Sequence, residues 1–265
     1  MLLELFKPKP IIDADSQAWI NDAFAWALEH FDNQYFSQHT QLILPTKAFF
    51  PEPASSVEQM AANVFKQVSQ YCGVEQWPFK LVDPQYFMPQ QYQFSQPIMI
   101  KRGNAITDSN NQQLIVPDEH KLSVSYDPVQ LNQPQVMVAN YATMLASFLF
   151  GMASVPPPGN AEHRLPAIEI LAIFMGFGVM FTNTAYAFRG GCGSCHNHAA
   201  NRVAVLTENE CAYALALFCH LKNIDAKTVT PHLKKHLRGL FKQALKQLEK
   251  NPQNQAELRL YLPES

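Results

Sequence analysis

The chain has 265 residues, and its 20 basic and 22 acidic side chains give a formal net charge of -2. Nucleic-acid-binding domains are normally basic, so this balance argues against a nucleic-acid partner. The length is sufficient for one large domain with a sizeable core. We predict a single domain over 1–265, with a helical part at 1–76, a small sheet at 77–127 and a helical core at 128–265.

The first residues, MLLELFKPKPIID, contain only a short apolar run, and no small-residue cleavage site follows it. This pattern differs from that of a signal peptide, so we expect a cytoplasmic protein. Thiols stay reduced in the cytoplasm. The five cysteines are therefore predicted to be free or metal-bound rather than paired in disulfides.

Hydrophobic spacing predicts a helix over 16–31, a short strand at 41–46 and a second helix after Ser56. Ser56 and Gln59 form a capping-box pattern, and Gly73 is a natural stop for that helix. Four short runs then predict strands at 79–83, 96–101, 112–117 and 120–126, with a hairpin loop at 102–111. We expect these strands to form a small, mostly antiparallel sheet.

Two apolar runs lie near the middle of the chain, Val136–Met152 and Ile168–Phe181, and a proline-rich linker joins them. Both are shorter than the ~20 residues that a membrane-spanning helix needs. We predict buried core helices over 134–150 and 166–188, with no membrane span; a membrane-associated protein is the alternative. Gly176 and Gly178 fall inside the second helix at a cost of ~1 kcal/mol each, which predicts close approach of another backbone.

After these runs, Thr207 and Glu210 form a second capping-box pattern, which predicts a helix over 211–222. Thr230 and Pro231 then open a predicted last helix that reaches Lys250.

Four segments resemble a group of bacterial zincin-like proteins that carry the HExxH metallopeptidase pattern. They are LPTKAFFPEP (44–53), LSVSYDPVQLNQPQVMVANYATMLASFLF (122–150), AIEILAIFMGFGVMFTNTAYAF (167–188) and AYALALFCHLK (212–222). The resemblance implies an α+β, mainly helical, zincin-like fold.

The residues at the family's site positions differ from the pattern. In HExxH, two histidines bind zinc and the glutamate is the general base. The histidine positions fall on Thr143 and Ser147, the glutamate position falls on Met144, and the acidic position of the second helix is Glu169. A catalytic zinc needs three protein ligands, so the resemblance implies a degenerate, pseudoenzyme-like site.

Two interpretations of these positions remain open. Thr143, Met144 and Ser147 could simply pack in the core, with the hydroxyls bonded to carbonyls one helical turn back. Alternatively, the emptied site forms a small-molecule pocket with Glu169 at its floor. A buried glutamate needs a partner, for which His163 and Arg164 are candidates, or else Glu169 faces solvent at the start of its helix.

The segment RGGCGSCHNH (189–198) predicts a metal site. Cys192 and Cys195 have the spacing of zinc ligands, and His198 adds a third donor. His196 adjoins Cys195 awkwardly, so the fourth ligand is either His196 or a side chain elsewhere, with Cys211, Cys219 and His220 as candidates. A haem-attachment site, a redox CxxC and a loop of unligated thiols are the alternatives.

These observations lead to two hypotheses on function. The first is a non-catalytic cytoplasmic protein that binds an unidentified protein or small-molecule partner, with a structural zinc at the Cys/His loop. The second is a metal-dependent hydrolase whose relocated metal site uses Glu169 with nearby histidines or cysteines.

Overall fold

The computed structural model describes residues 9–87, 121–159, 161–185 and 202–263, together with 98–99, 101–105, 107–108, 110, 112 and 115–118. The Cys/His loop at 189–198, with Cys192, Cys195, His196 and His198, lies outside these residues. The predicted strand at 112–117 is described only at 112 and 115–117, and those residues are not in a strand.

Helices account for most of the described chain. They are α1 (Ala14–His30), α2 (Asn33–Gln38), α3 (Val57–Cys72), α4 (Pro134–Gly151), α5 (Arg164–Ala172), α6 (Gly178–Thr184), α7 (Glu208–Leu221), α8 (Ala226–Val229), α9 (Leu237–Glu249) and α10 (Pro252–Arg259). Ser56 caps α3 and Gly73 ends it with φ 71°, as predicted, and Thr207 and Glu210 form the predicted capping box of α7. The reciprocal bond of the predicted Ser56–Gln59 box is absent, because the Gln59 side chain accepts from Ser55 instead. The predicted last helix begins later than expected, because 230–232 forms a separate 3₁₀ turn.

The strands form two small ladders. β1 (Phe79–Val82) pairs with β4 (Leu122–Ser125) in parallel, with Phe79 opposite Leu122. β2 (Ile98–Met99) and β3 (Thr107–Asp108) are antiparallel. The prediction of a mostly antiparallel sheet is therefore wrong for the longer ladder, because the long segment 83–121 lets the chain return to the start of β1 and run alongside it. The broader prediction of a mainly helical α+β protein is confirmed.

Helices α4, α5, α6 and α7 form the centre of the core. α4 packs against α5 and α6, α7 packs against α6 and α9, and α1 and α3 cover the outside of α5 and α4. The helical stretch Arg164–Thr184 is long and apolar enough to cross a membrane, but 89% of its most apolar window is buried inside the protein. Such burial is expected of a core helix.

That stretch is interrupted in the middle. A π-helical turn, Ile173–Phe177, separates α5 from α6, and Gly176 within it has φ 106°. The Gly176 carbonyl accepts a hydrogen bond from the Ile43 N–H at 2.9 Å, and a β-carbon at Gly176 would collide with the Gln41 carbonyl. The predicted close backbone approach is confirmed at Gly176, whereas Gly178 faces the Leu215 side chain. The predicted strand at 41–46 is absent because this segment bonds to the helix interruption instead of a strand.

The proline-rich linker is fixed to α1 by two indoles. Trp19 Nε1 donates to the Pro158 carbonyl at 3.0 Å, and Trp26 Nε1 donates to the Val155 carbonyl at 2.9 Å. The linker therefore holds the end of α4 and the start of α5 at the surface of α1.

Candidate functional site: a buried ion pair and an adjacent groove

Glu169 lies on α5 and is almost inaccessible, with 2% of its surface exposed. Its carboxylate accepts a hydrogen bond from Arg202 Nη1, and the two side chains form an ion pair. The same carboxylate accepts the backbone N–H groups of Val205 at 3.1 Å and Leu206 at 2.9 Å. Both oxygens are thus committed to hydrogen bonds, which offset the cost of burying the charge.

Both predictions for Glu169, pairing with His163 or Arg164 and exposure to solvent, are therefore wrong. It neither faces solvent nor pairs with the candidates next to it in sequence, since His163 packs on Trp19 and Arg164 lies over Phe150. Sequence reasoning missed Arg202, which is 33 positions further along the chain. The one available signal was indirect: a glutamate in an apolar helix requires a partner.

Arg202 also joins the two ends of the segment that carries the Cys/His loop. Its Nε donates to Thr184 Oγ1 at 3.2 Å, at the end of α6, and its guanidinium lies 4.4 Å from the centre of the Phe181 ring. Thr184 precedes and Arg202 follows the segment 186–201, so the described residues on either side of this segment lie next to each other. The zinc, haem and redox predictions for Cys192, Cys195, His196 and His198 concern residues outside those the structure describes.

The candidate fourth ligands occupy different environments on α7. Cys211 and Cys219 are fully buried free thiols, and burial raises the pKa of both, that of Cys219 to about 12. The Glu169 carboxylate further raises the pKa of the Cys211 thiol, and the Arg202 guanidinium lowers it. His220 is half-buried, and burial together with Arg259 lowers its pKa. Within the described ranges, no three His, Cys, Asp or Glu side chains are grouped so as to hold a metal.

Thr143, Met144 and Ser147, the positions that the resemblance aligns with HExxH, lie on α4 and are half-buried. Thr143 Oγ1 donates to the Ala139 carbonyl at 2.8 Å, which confirms the expected bond one helical turn back. Met144 borders a groove, whereas Thr143 and Ser147 do not line it.

The groove beside Met144 has a volume of about 310 Å³. Three segments line it: the turn after β1, the end of β4 with the turn that follows, and one face of α4. The lining residues are Pro84, Phe87, Ser125, Tyr126, Asp127, Pro128, Gln130, Met137, Asn140, Tyr141 and Met144.

Hydrogen bonds fix several polar groups of this groove. Asn140 Nδ2 donates to Gln130 Oε1, and the Tyr141 hydroxyl donates to the Ala61 carbonyl at 3.2 Å. Ser125 Oγ donates to the Val82 carbonyl at 3.2 Å, which ties the end of β4 to β1. Burial raises the pKa of Tyr141, so its hydroxyl stays protonated and keeps donating.

Glu169 is not part of the groove lining. The Glu169 carboxylate is instead bonded by Arg202 and by the backbone N–H groups of Val205 and Leu206, and the groove beside Met144 lies apart from it. Of the four predicted positions, only Met144 contributes to the groove.

No family model matches the chain, and no curated protein or solved structure gives a significant match. The zincin-like resemblance therefore remains a prediction. The structure by itself defines a mainly helical α+β protein with a buried Glu169–Arg202 ion pair and an open groove beside Met144.

Proposed function

We propose that this chain is a non-catalytic, zincin-like cytoplasmic protein that binds a small molecule or a peptide segment in the groove beside Met144. The observation that carries the proposal is the groove itself. Its volume lies at the lower end of the ~300–1,000 Å³ range of ligand pockets. Like such pockets, it combines apolar and aromatic walls with a few fixed polar groups.

The residues along α4 support binding without hydrolysis. Met144 offers a thioether that adapts to ligand shape but cannot take a proton from water. The Thr143 hydroxyl is already bonded within its own helix. Recognition in the groove would therefore depend on shape, apolar contact and hydrogen bonds.

The hydrogen bonds of Glu169 weigh against the hydrolase hypothesis. Recruiting this carboxylate to a metal would break its ion pair with Arg202 and leave a buried cation uncompensated. Breaking a buried pair costs ~3–5 kcal/mol. Peptide hydrolysis that is abolished by a chelator would overturn the non-catalytic part of the proposal.

The groove can be tested by ligand-observed NMR with a fragment library. We expect several fragments to bind the wild-type chain and to lose binding in Met144→Trp, because the indole fills the groove. Gln243→Trp is the matched control, since Gln243 lines a separate cavity of about 280 Å³ at α9. Equal binding to the wild type and Met144→Trp would place ligand binding elsewhere and contradict the proposal.

The Cys/His loop is proposed to hold one structural zinc ion through Cys192, Cys195 and His198. The fourth ligand is His196 or a side chain outside the loop. Two thiolates and an imidazole are the donors that zinc prefers, and a closed four-ligand site would stabilise the fold. Elemental analysis should find about one zinc per chain, lost in a Cys192→Ser/Cys195→Ser variant. A protein purified without metal, or with bound haem, would contradict this assignment.

A further inference from the structure

We propose that the groove beside Met144 selects small organic cations that carry an apolar body, such as an aromatic or aliphatic primary amine. This inference rests on the proposed function and specifies the ligand class of the same site. It follows from three properties of the groove: the sign of its charge, the hydrogen-bond role of its polar atoms and its aromatic walls.

The charge around the groove is negative. Asp127 contributes a carboxylate to the lining, and none of the described lining residues is a lysine, arginine or histidine. Two further carboxylates, Asp83 and Glu58, lie close enough to raise the pKa of Tyr126, whose largest perturbation is burial. A field that disfavours a phenolate at Tyr126 also disfavours an anionic ligand and favours a cationic one.

The Asn140 amide offers a hydrogen-bond acceptor in the groove lining. Asn140 gives an N–H to Gln130 Oε1, which leaves its own carbonyl oxygen, Oδ1, without a hydrogen bond among the described residues. An ammonium group has only donors, so it matches an amide oxygen and neighbouring carboxylates.

The walls suit an apolar body next to the charge. Phe87 and Tyr126 are half-buried aromatic residues of the lining, and Met137 and Met144 supply flexible apolar contact along α4. A cation over an aromatic face gains ~0.5–1 kcal/mol at an exposed site and more when water is excluded. The apolar part of the ligand would pack on the methionines while its charge faces the carboxylates.

A second cavity carries the opposite charge and provides an internal comparison. It lies between the start of α1 and the end of α9, and Lys9, Lys246 and Lys250 are among its lining residues. No aspartate or glutamate is present among the described residues that line it. An anionic probe that binds this protein is therefore expected there rather than in the groove.

The test uses three probes with the same phenyl group and nearly the same size: phenethylamine, phenethyl alcohol and phenylacetate. Protein-observed NMR titrations would be run on the full chain. We expect the amine to bind the groove about fivefold or more tighter than the alcohol, and phenylacetate not to bind there. An Asp83→Asn/Asp127→Asn variant should lose that advantage while its affinity for the alcohol is unchanged. Glu257→Gln, which removes an exposed carboxylate on α10, should keep it.

The outcomes separate the two proposals. If amine and alcohol bind the groove equally, or phenylacetate binds it best, the groove is a binding site but its selectivity for cations is wrong. If none of the three probes shifts the groove signals and the fragment library also fails to bind there, the proposed function itself is wrong. If the amine binds tightly but Asp83→Asn/Asp127→Asn has no effect, the electrostatic basis of the inference is wrong.

Discussion

Glu169 accepts hydrogen bonds from Arg202 and from two backbone N–H groups, and both charged side chains are at most 5% exposed. The sequence predicted that Glu169 matters, because a glutamate among apolar helical residues is costly to bury alone. It could not identify Arg202, because that pairing depends on how the chain returns from 186–201, and no local pattern connects the two positions. The residue that looked like the remnant of a metal site is instead part of an internal ion pair.

Removing one member of this pair should be strongly destabilising. We expect Glu169→Ala to lower the free energy of unfolding by ~3–5 kcal/mol, because Arg202 is left buried and uncompensated. A Glu169→Leu/Arg202→Met variant should lose less than the sum of the two single changes. Urea denaturation measures both effects. Lys66→Ala, at the exposed pair with Glu52, is the control and should cost no more than ~1 kcal/mol; a similarly small loss for Glu169→Ala would refute the buried pair.

Three cysteines should resist thiol reagents in the native protein. Cys72, Cys211 and Cys219 are fully buried, and burial raises the pKa of each thiol, that of Cys219 to about 12. Thiol reagents react with the thiolate. Because the pKa of each thiol is raised, all three stay protonated at pH 8. Mass spectrometry after alkylation at pH 8 should find all three unmodified until urea is added. Rapid native labelling of Cys219 would contradict the packing of α7.

At the scale of elements, the interruption between α5 and α6 is where the sequence-based prediction and the structure can be compared most closely. Two glycines inside an apolar helix predicted a close backbone approach, and this was correct for Gly176. The π-helical turn and the left-handed φ of Gly176 were not predictable, because they depend on the segment 41–44, whose own pattern suggested a strand. Similarly, alternation predicted β1 and β4 as strands, but their parallel direction depends on the path of 83–121.

Because of this interruption, adding a single methyl group at Gly176 should strongly lower the stability of the protein. We expect Gly176→Ala to cost ~2 kcal/mol or more, because its φ of 106° is unfavourable for a side chain and the new β-carbon would meet the Gln41 carbonyl. Gly239→Ala on α9 is the matched control: nothing lies within 4 Å of its β-carbon position, so stability should stay equal or rise by up to ~1 kcal/mol. Thermal unfolding compares the two. Equal stability of Gly176→Ala and the wild type would show that 41–44 does not pack on the turn in this way.

At the scale of the whole molecule, the groove arises where segments distant in sequence meet. The turn after β1, the turn after β4 and one face of α4 each supply part of it. The resemblance to zincin-like proteins singled out Met144 as a site position. The sequence contained no signal that residues 84–87 and 125–130 would line the same groove. The core helices were predictable because burial leaves a continuous apolar pattern, whereas a groove is defined by what the packing leaves unfilled.

The central claim is that this groove, rather than the surroundings of Glu169, binds the ligand. A crystallographic fragment screen of the full chain tests it most directly, because it locates every bound fragment. We predict that bound fragments cluster beside Met144, between Tyr126 and α4, with amine-bearing fragments over-represented and the Glu169–Arg202 pair intact. Fragments that bind elsewhere while the groove stays empty, or a metal ion bound to Glu169 with the pair broken, would contradict the account.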